Sequence, residues 1–147
     1  MRKDFLEALN KHYLTTTSVA LKSKSSSAKL TKNSKVFKTI IEAIKDKKGE
    51  DIISLDLRKI HEAVADFFVV CSADNTTQLK AIIDSIEDKM LTVCGERPYK
   101  QEGVKNSQWV LIDYVDIVVH VMHTQSRNFY KLEDLWSDAV ATIHDDK

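Results

Sequence analysis

The chain has 147 residues, 43% hydrophobic and 30% charged, the composition of one ordinary globular domain with room for a tail. No window approaches the roughly 18 consecutive apolar residues of a membrane-spanning helix, and three Gly with one Pro are too few for a turn-rich all-β sandwich or barrel. The zero net charge divides unevenly: residues 1–38 hold nine Lys/Arg and two Asp/Glu, residues 39–147 thirteen and twenty, so the acidic body repels phosphate backbones and suits a basic protein partner.

In chain order, Phe5, Leu6, Leu9 and Tyr13 recur at helical spacing, which reads either as a short amphipathic helix or as a frayed terminus. The segment lacks the long apolar core of a secretion signal, and one Arg beside Asp4 and Glu7 fits an organelle transit peptide poorly. Residues 15–35 are rich in Ser, Thr and Lys without an acid or an aromatic, a composition that buries too little surface to offset its ordering entropy. They read as a flexible linker, giving a basic Ser/Lys-rich extension over residues 1–34 and one domain over residues 35–147.

The domain opens with a helical stripe of Val36, Phe37, Ile40, Ile41 and Ile44, followed by lysines and by Gly49 as the expected left-handed stop. Residues 51–57 alternate Ile53, Leu55 and Leu57 with polar neighbours, predicting a strand with one buried face. The continuous apolar run 67–71, FFVVC, predicts a central strand covered on both faces. Asn75 and Gln78 form a capping-box-like start to a long helix that carries Leu79, Ile82, Ile83, Ile86, Met90 and Val93 on one face and ends at Gly95. Pro98 introduces an edge strand, because proline cannot donate to a central ladder. The runs 109–113 and 116–122 are close enough to pair antiparallel through Tyr114 and Val115. A helical piece near 124–130 precedes a last stripe of Leu132, Leu135, Trp136, Ala139, Val140 and Ile143, read as a helix. Strands interleaved with helices predict a single α/β domain with a mixed five-stranded sheet and flanking helices.

Catalytic candidates are Asp56, Asp113, Asp116, His120, His123, Cys71 and Ser72. Metal-dependent phosphoryl transfer needs carboxylates converging on a cation, whereas Asp113 and Asp116, three residues apart, leave a continuous strand on opposite faces. They read as strand-ending acids that bond turn amides. His120 and His123 lack a third zinc ligand at local spacing, so His120 reads as a buried, hydrogen-bonded histidine. Cys71 reads as core, since the Gly-x-Ser-x-Gly elbow is absent. Cys71 and Cys94 have neither zinc-ribbon nor disulfide-framework spacing, which points to a reducing compartment. Trp109, Tyr114, Arg127, Phe129, Tyr130 and Trp136 cluster in the last third. Trp136 belongs to the apolar stripe, whereas Trp109 and Tyr114 flank a strand and its turn, where aromatics serve either packing or recognition.

The blocks DKKGEDIISLDL, ADFFVVCSADNTTQLKAI, WVLIDYVDIVVHVMH and RNFYKLEDLW, in this order and spacing over residues 36 to about 140, closely resemble the ribosomal silencing factor, or Iojap-like, family. The resemblance implies a cytoplasmic protein that is not an enzyme and needs no cofactor. Such a protein binds the large ribosomal subunit through its L-fourteen protein, blocks joining of the small subunit and represses translation when nutrients are scarce. It also implies a nucleotidyltransferase-like topology without the active site. On this reading Trp109 and Tyr114 are the aromatic anchors, and Asp113, Asp116 and Arg127 the polar partners. The basic extension is expected to contact rRNA, and a second copy of the chain is a candidate partner. The alternative is a degenerate nucleotidyltransferase-fold protein that binds a nucleotide at the Ser72 to Thr76 loop. Most family members carry glycine where this chain has Ala73 and Val115. A turn at Val115 needing left-handed backbone would therefore be strained.

Overall fold

The structure, a computed structural model, describes residues 34–104 and 108–144. The expected N-terminal helix and most of the expected linker lie outside the described residues. The elements in order are α1 (Lys35–Asp46), β1 (Glu50–Asp56), β2 (Phe67–Ala73), α2 (Thr76–Cys94), β3 (Lys100–Val104), β4 (Trp109–Asp113), β5 (Ile117–His123), α3 (Thr124–Tyr130), α4 (Leu132–Leu135) and β6 (Val140–Ile143). The strands form one six-stranded sheet in the order β3-β4-β5-β2-β1-β6. Only β2 and β5 run parallel, and every other neighbouring pair is antiparallel.

The Ser34 hydroxyl caps α1 by accepting from the Phe37 amide at 3.2 Å, one of the donors a helix start leaves unpaired. The stop after α1 differs from the expectation. Lys48 takes the left-handed backbone, with φ 61°. Gly49 is required for space instead, because a Cβ there would overlap Ile44 Cγ2. At the start of α2 the Asn75 side chain accepts from the Gln78 amide at 2.8 Å, and the helix ends on Gly95 at φ 67°, both as the sequence predicts; Val93, expected on the buried face, is instead exposed in the last turn, beyond the buried stripe that ends at Met90.

Both faces of the sheet are covered. On one, α1 and α2 press Phe37, Ile40, Ile44, Ile82, Ile86 and Met90 against inward residues of β2, β4 and β5. On the other, the 57–66 segment and the α3–α4 region bring Leu57, Ile60, Leu132 and Trp136 against Leu55, Phe68, Val70, Leu111 and Val118. As the FFVVC run predicts, every residue of β2 is buried. For β1 the single buried face is a correction. Ser54 is fully buried as well as Leu55, and its hydroxyl pairs with His144 Nε2 at 2.8 Å, because α1 covers the face expected to be open.

The C-terminal helix is a second correction. Helix persists only over Leu132–Leu135, and Val140–Ile143 form β6, paired antiparallel to β1 from Asp56↔Val140 to Ile53↔Ile143. Residues spaced by three or four satisfy a helical stripe and a short strand alike, and the unpaired edge of β1 offers a ladder that a solvent-exposed helix turn cannot match. The sheet thus has six strands rather than five.

The β4–β5 turn places Val115 at φ 73°, left-handed backbone that costs an L-residue roughly 1–2 kcal/mol and a β-branched one no less. Ala73 carries no such strain, being an ordinary strand residue outside the positive-φ positions. Val115→Gly is expected to raise unfolding stability by about 1 kcal/mol, the strain relieved less the entropy cost of glycine. Denaturant titration checks this, and a loss of stability would show that Val115 packing outweighs its backbone strain.

Candidate functional site

The residues expected to form the site are not brought to one place. Trp109 opens β4 opposite Met122, while Asp113 closes it opposite Val118. The Asp113–Asp116 turn therefore lies at the far end of a strand roughly 13 Å long. Trp109 packs in the cluster beneath α3 and α4, and Tyr114 in the cluster beneath α1 and α2, so the two rings sit on opposite faces. Each is only 7% exposed.

At the turn, Asp113 Oδ1 accepts from the Val115 amide at 2.7 Å, the strand-ending role its spacing predicts. Burial raises the Asp113 carboxyl above its ordinary range, and the Val115 amide and Lys100 counter that rise. Asp116 is half-buried, and burial followed by the charge of Glu96 raises its carboxyl as well. Its backbone carbonyl accepts from the Asp66 and Phe67 amides, tying the turn to the start of β2. The Tyr114 hydroxyl is buried without a hydrogen-bond partner, and burial, with Glu87 and Glu96 adding to it, pushes its pKa upward.

At the other end of β4, the Trp109 indole Nε1 donates to His120 Nδ1 at 3.1 Å. That bond fixes the neutral tautomer with its proton on Nε2. His120 is fully buried, and burial lowers its pKa to about 3. The Trp109 ring also supports Tyr130, at 4.9 Å between centroids, and Tyr130 meets Phe129 edge-on at 5.0 Å. Tyr130 is 42% exposed and Phe129 78%. The exposed aromatic pair is thus Phe129 and Tyr130, with Trp109 as its buried backing. The sequence places both, as neighbours in the chain, in the aromatic cluster, but the seat of Tyr130 on the buried Trp109 ring is a tertiary fact.

Arg127 is also buried, at 7% exposure. Its Nε and Nη2 donate to Glu133 Oε2, each at 3.1 Å, and Nη1 reaches the Glu50 carbonyl and Ser72 Oγ at 3.4 Å. The guanidinium joins α3 to β1 and β2, and Glu133, absent from the sequence expectation, is its counter-ion.

Of the catalytic candidates, Cys71 is fully buried with its thiol pushed up to about 12 by burial. Ser72 Oγ donates to the Glu50 carbonyl at 3.3 Å, and His120 Nδ1 is taken by the Trp109 indole, so these groups do not form a nucleophile–base pair. Among the described residues, no group of three or more His, Cys, Asp or Glu is placed to hold a metal ion. No helix among them is long and apolar enough to cross a membrane. The fold and site define a mixed α/β scaffold that carries a supported, exposed aromatic pair.

The family model described as ribosomal silencing factor during starvation matches residues 30–147, and the chain belongs to that family. The ribosomal silencing factor RsfS of Bacillus subtilis is 40% identical over 104 residues, covering 71% of this chain and 86% of the relative. The chloroplastic protein Iojap of Zea mays is 31% identical over 104 residues, covering 69% of this chain and 43% of its own length. Among solved structures, a Chromobacterium violaceum protein superposes with a TM-score of 0.64 at 38% identity, covering 69% of this chain and 83% of that one. A Bacillus halodurans protein gives 0.62 at 34% identity, covering 71% and 95%.

Proposed function

We propose that this protein represses translation by binding the large ribosomal subunit through ribosomal protein L-fourteen and occupying space that the small subunit needs for joining, in the cytoplasm and under nutrient limitation. Family membership supports the ribosomal partner, and the observation that carries the surface is the Phe129–Tyr130 pair standing exposed on a Trp109 backing. Aromatic side chains seated on a packed support are the usual energetic centre of a protein interface. The excess of acids over bases in residues 39–147 suits a basic ribosomal protein. In this reading Trp109 positions Tyr130. Asp113 and Tyr114 shape the turn that carries Asp116, and Arg127 holds α3 in place, so these five act mainly behind the contact surface. The nucleotide-binding alternative stands second. Ser72 and Asn75 in that loop already bond Glu50 and Gln78, and calorimetry with ATP and magnesium is expected to give no heat of binding.

Purified protein is expected to co-sediment with large subunits and to reduce subunit joining in proportion to occupancy. Phe129→Ala and Tyr130→Ala should each weaken binding by about 2 kcal/mol and leave the unfolding midpoint nearly unchanged, since both side chains are exposed. Binding to small subunits alone, or unaltered joining at saturating protein, would refute the proposal. Wild-type affinity in both variants would move the contact away from α3.

A further inference from the structure

Where β2 and β5, the parallel pair of the sheet, come to their carboxyl ends, Ser72 and Thr124 line a cavity of about 610 Å³. Ile53 of β1 and Ile143 of β6 give it an apolar side, and the α3–α4 region closes it opposite. Open α/β sheets hold small ligands beyond the carboxyl ends of parallel strands, and sites for such ligands occupy roughly 300–1,000 Å³. The aromatic pair on α3 makes no use of this space.

The cavity carries charges of both signs. Arg127, buried in its wall, is incompletely engaged: Nε and Nη2 both meet Glu133 at the single oxygen Oε2, not in the two-oxygen fork that matches arginine to a carboxylate. Nη1 reaches the Glu50 carbonyl and Ser72 Oγ only at 3.4 Å, longer than the usual N–H···O bond. Lys131, Asp51 and Asp134 also line the cavity and are exposed. Among the described residues no ion pair engages these three. Asp51 and Lys131 each hold left-handed backbone at φ 50°, and Asp51 sits where β1 bulges between Glu50 and Ile53. Bulges re-aim side chains, and strained backbone persists where the surroundings demand it.

We propose that this cavity binds a free aliphatic α-amino acid, its carboxylate held by Arg127 and Lys131, its ammonium by Asp51 and Asp134, and its side chain laid against Ile53 and Ile143. A plain anion meets carboxylates in the same cavity, and a plain cation meets the guanidinium and Lys131. A ligand with both charges side by side is complementary to the whole set. The two isoleucines favour an alkyl side chain, since a charged one would lose water there without gaining a partner. The acids also oppose ATP, in keeping with the absence of heat expected for it. The inference stands apart from the ribosomal contact and holds or fails independently of it.

The test is calorimetry on the full chain with L-leucine as the probe. Leucine should bind, whereas isoamylamine, which lacks its carboxylate, and isocaproate, which lacks its ammonium, should each bind at least about tenfold more weakly. These comparisons use the wild-type protein and need no variant to fold. Asp51→Asn and Lys131→Gly each remove one charge from an exposed position and put there a residue that accepts left-handed backbone. Both should keep the unfolding midpoint near that of the wild type and weaken leucine binding by about tenfold. Three results would overturn the proposal: no heat with leucine up to about 10 mM, equal binding of either analogue, or wild-type affinity in both variants, which would place the ligand elsewhere.

Discussion

Glu133→Ala is expected to destabilise the domain by about 3 kcal/mol, more than Arg127→Met, in equilibrium denaturant unfolding. The guanidinium of Arg127 is the more deeply placed partner, at 7% side-chain exposure against 29% for Glu133. Removing the carboxylate leaves a buried cation with only the 3.4 Å contacts to Glu50 and Ser72, and an uncompensated buried charge costs about 3–5 kcal/mol. The cavity on which both residues open admits water, which places the expectation at the lower end of that range. Arg127→Met keeps the apolar stem and leaves Glu133, 29% exposed as a side chain but with Oε1 already buried and unpaired, without its counter-ion, so about 1–2 kcal/mol is expected. In the double variant the cost should fall back close to that of Arg127→Met, the signature of two groups acting as a unit. The reverse order of the single variants would show that stem packing, not charge, holds α3 to β1 and β2.

Stability should also fall as the solution is acidified below about pH 6.5, with His120 as the cause. In the folded protein its Nδ1 accepts from Trp109 and its pKa is lowered to about 3, whereas an unfolded histidine titrates near 6.5. Between those values the unfolded chain binds the extra proton, so unfolding becomes easier as pH falls, by about 1.4 kcal/mol per unit. From pH 6 to pH 4 this amounts to a loss on the order of 2–3 kcal/mol. Asp113 and Asp116 work in the other direction. Their carboxyls are raised by burial, so in acid the folded state gains protons there first, and the slope flattens as pH approaches the ordinary carboxylate range. The steepest loss is therefore expected between about pH 6 and pH 5. His120→Asn keeps an acceptor for the Trp109 indole but does not titrate, and should flatten the profile. An unchanged slope in that variant would assign the acid sensitivity to other groups.

Particular residues mark where local signals sufficed. The β-prone apolar run in β2, the Asn75 cap and Gly95 stop of α2, and the β4–β5 turn with Asp113 on the Val115 amide are all recoverable from the chain, because periodicity, capping and turn chemistry act within a few residues. The strain at Val115 was legible through the family resemblance, because most members carry glycine at that position. Membership of the family was legible too, since it rests on the order and spacing of local blocks.

What the chain could not show by itself depended on groups distant in sequence. Residues Val140–Ile143 became a strand rather than a helix because β1 had an open edge to pair with. Gly49 is needed for its closeness to Ile44, while Lys48 supplies the left-handed turn. Arg127 acquired its role from Glu50 and Ser72, which the β1–β2 pairing brings to it. Above all, exposure was decided at the tertiary level. Trp109 and Tyr114 carry the side chains of binding anchors, yet the sheet buries one on each face and leaves Phe129 and Tyr130 as the exposed aromatic pair. Residue type and spacing determine which groups can bury or bind, but burial is shared with whatever the rest of the chain lays on top, and only the assembled sheet and its covering segments settle that.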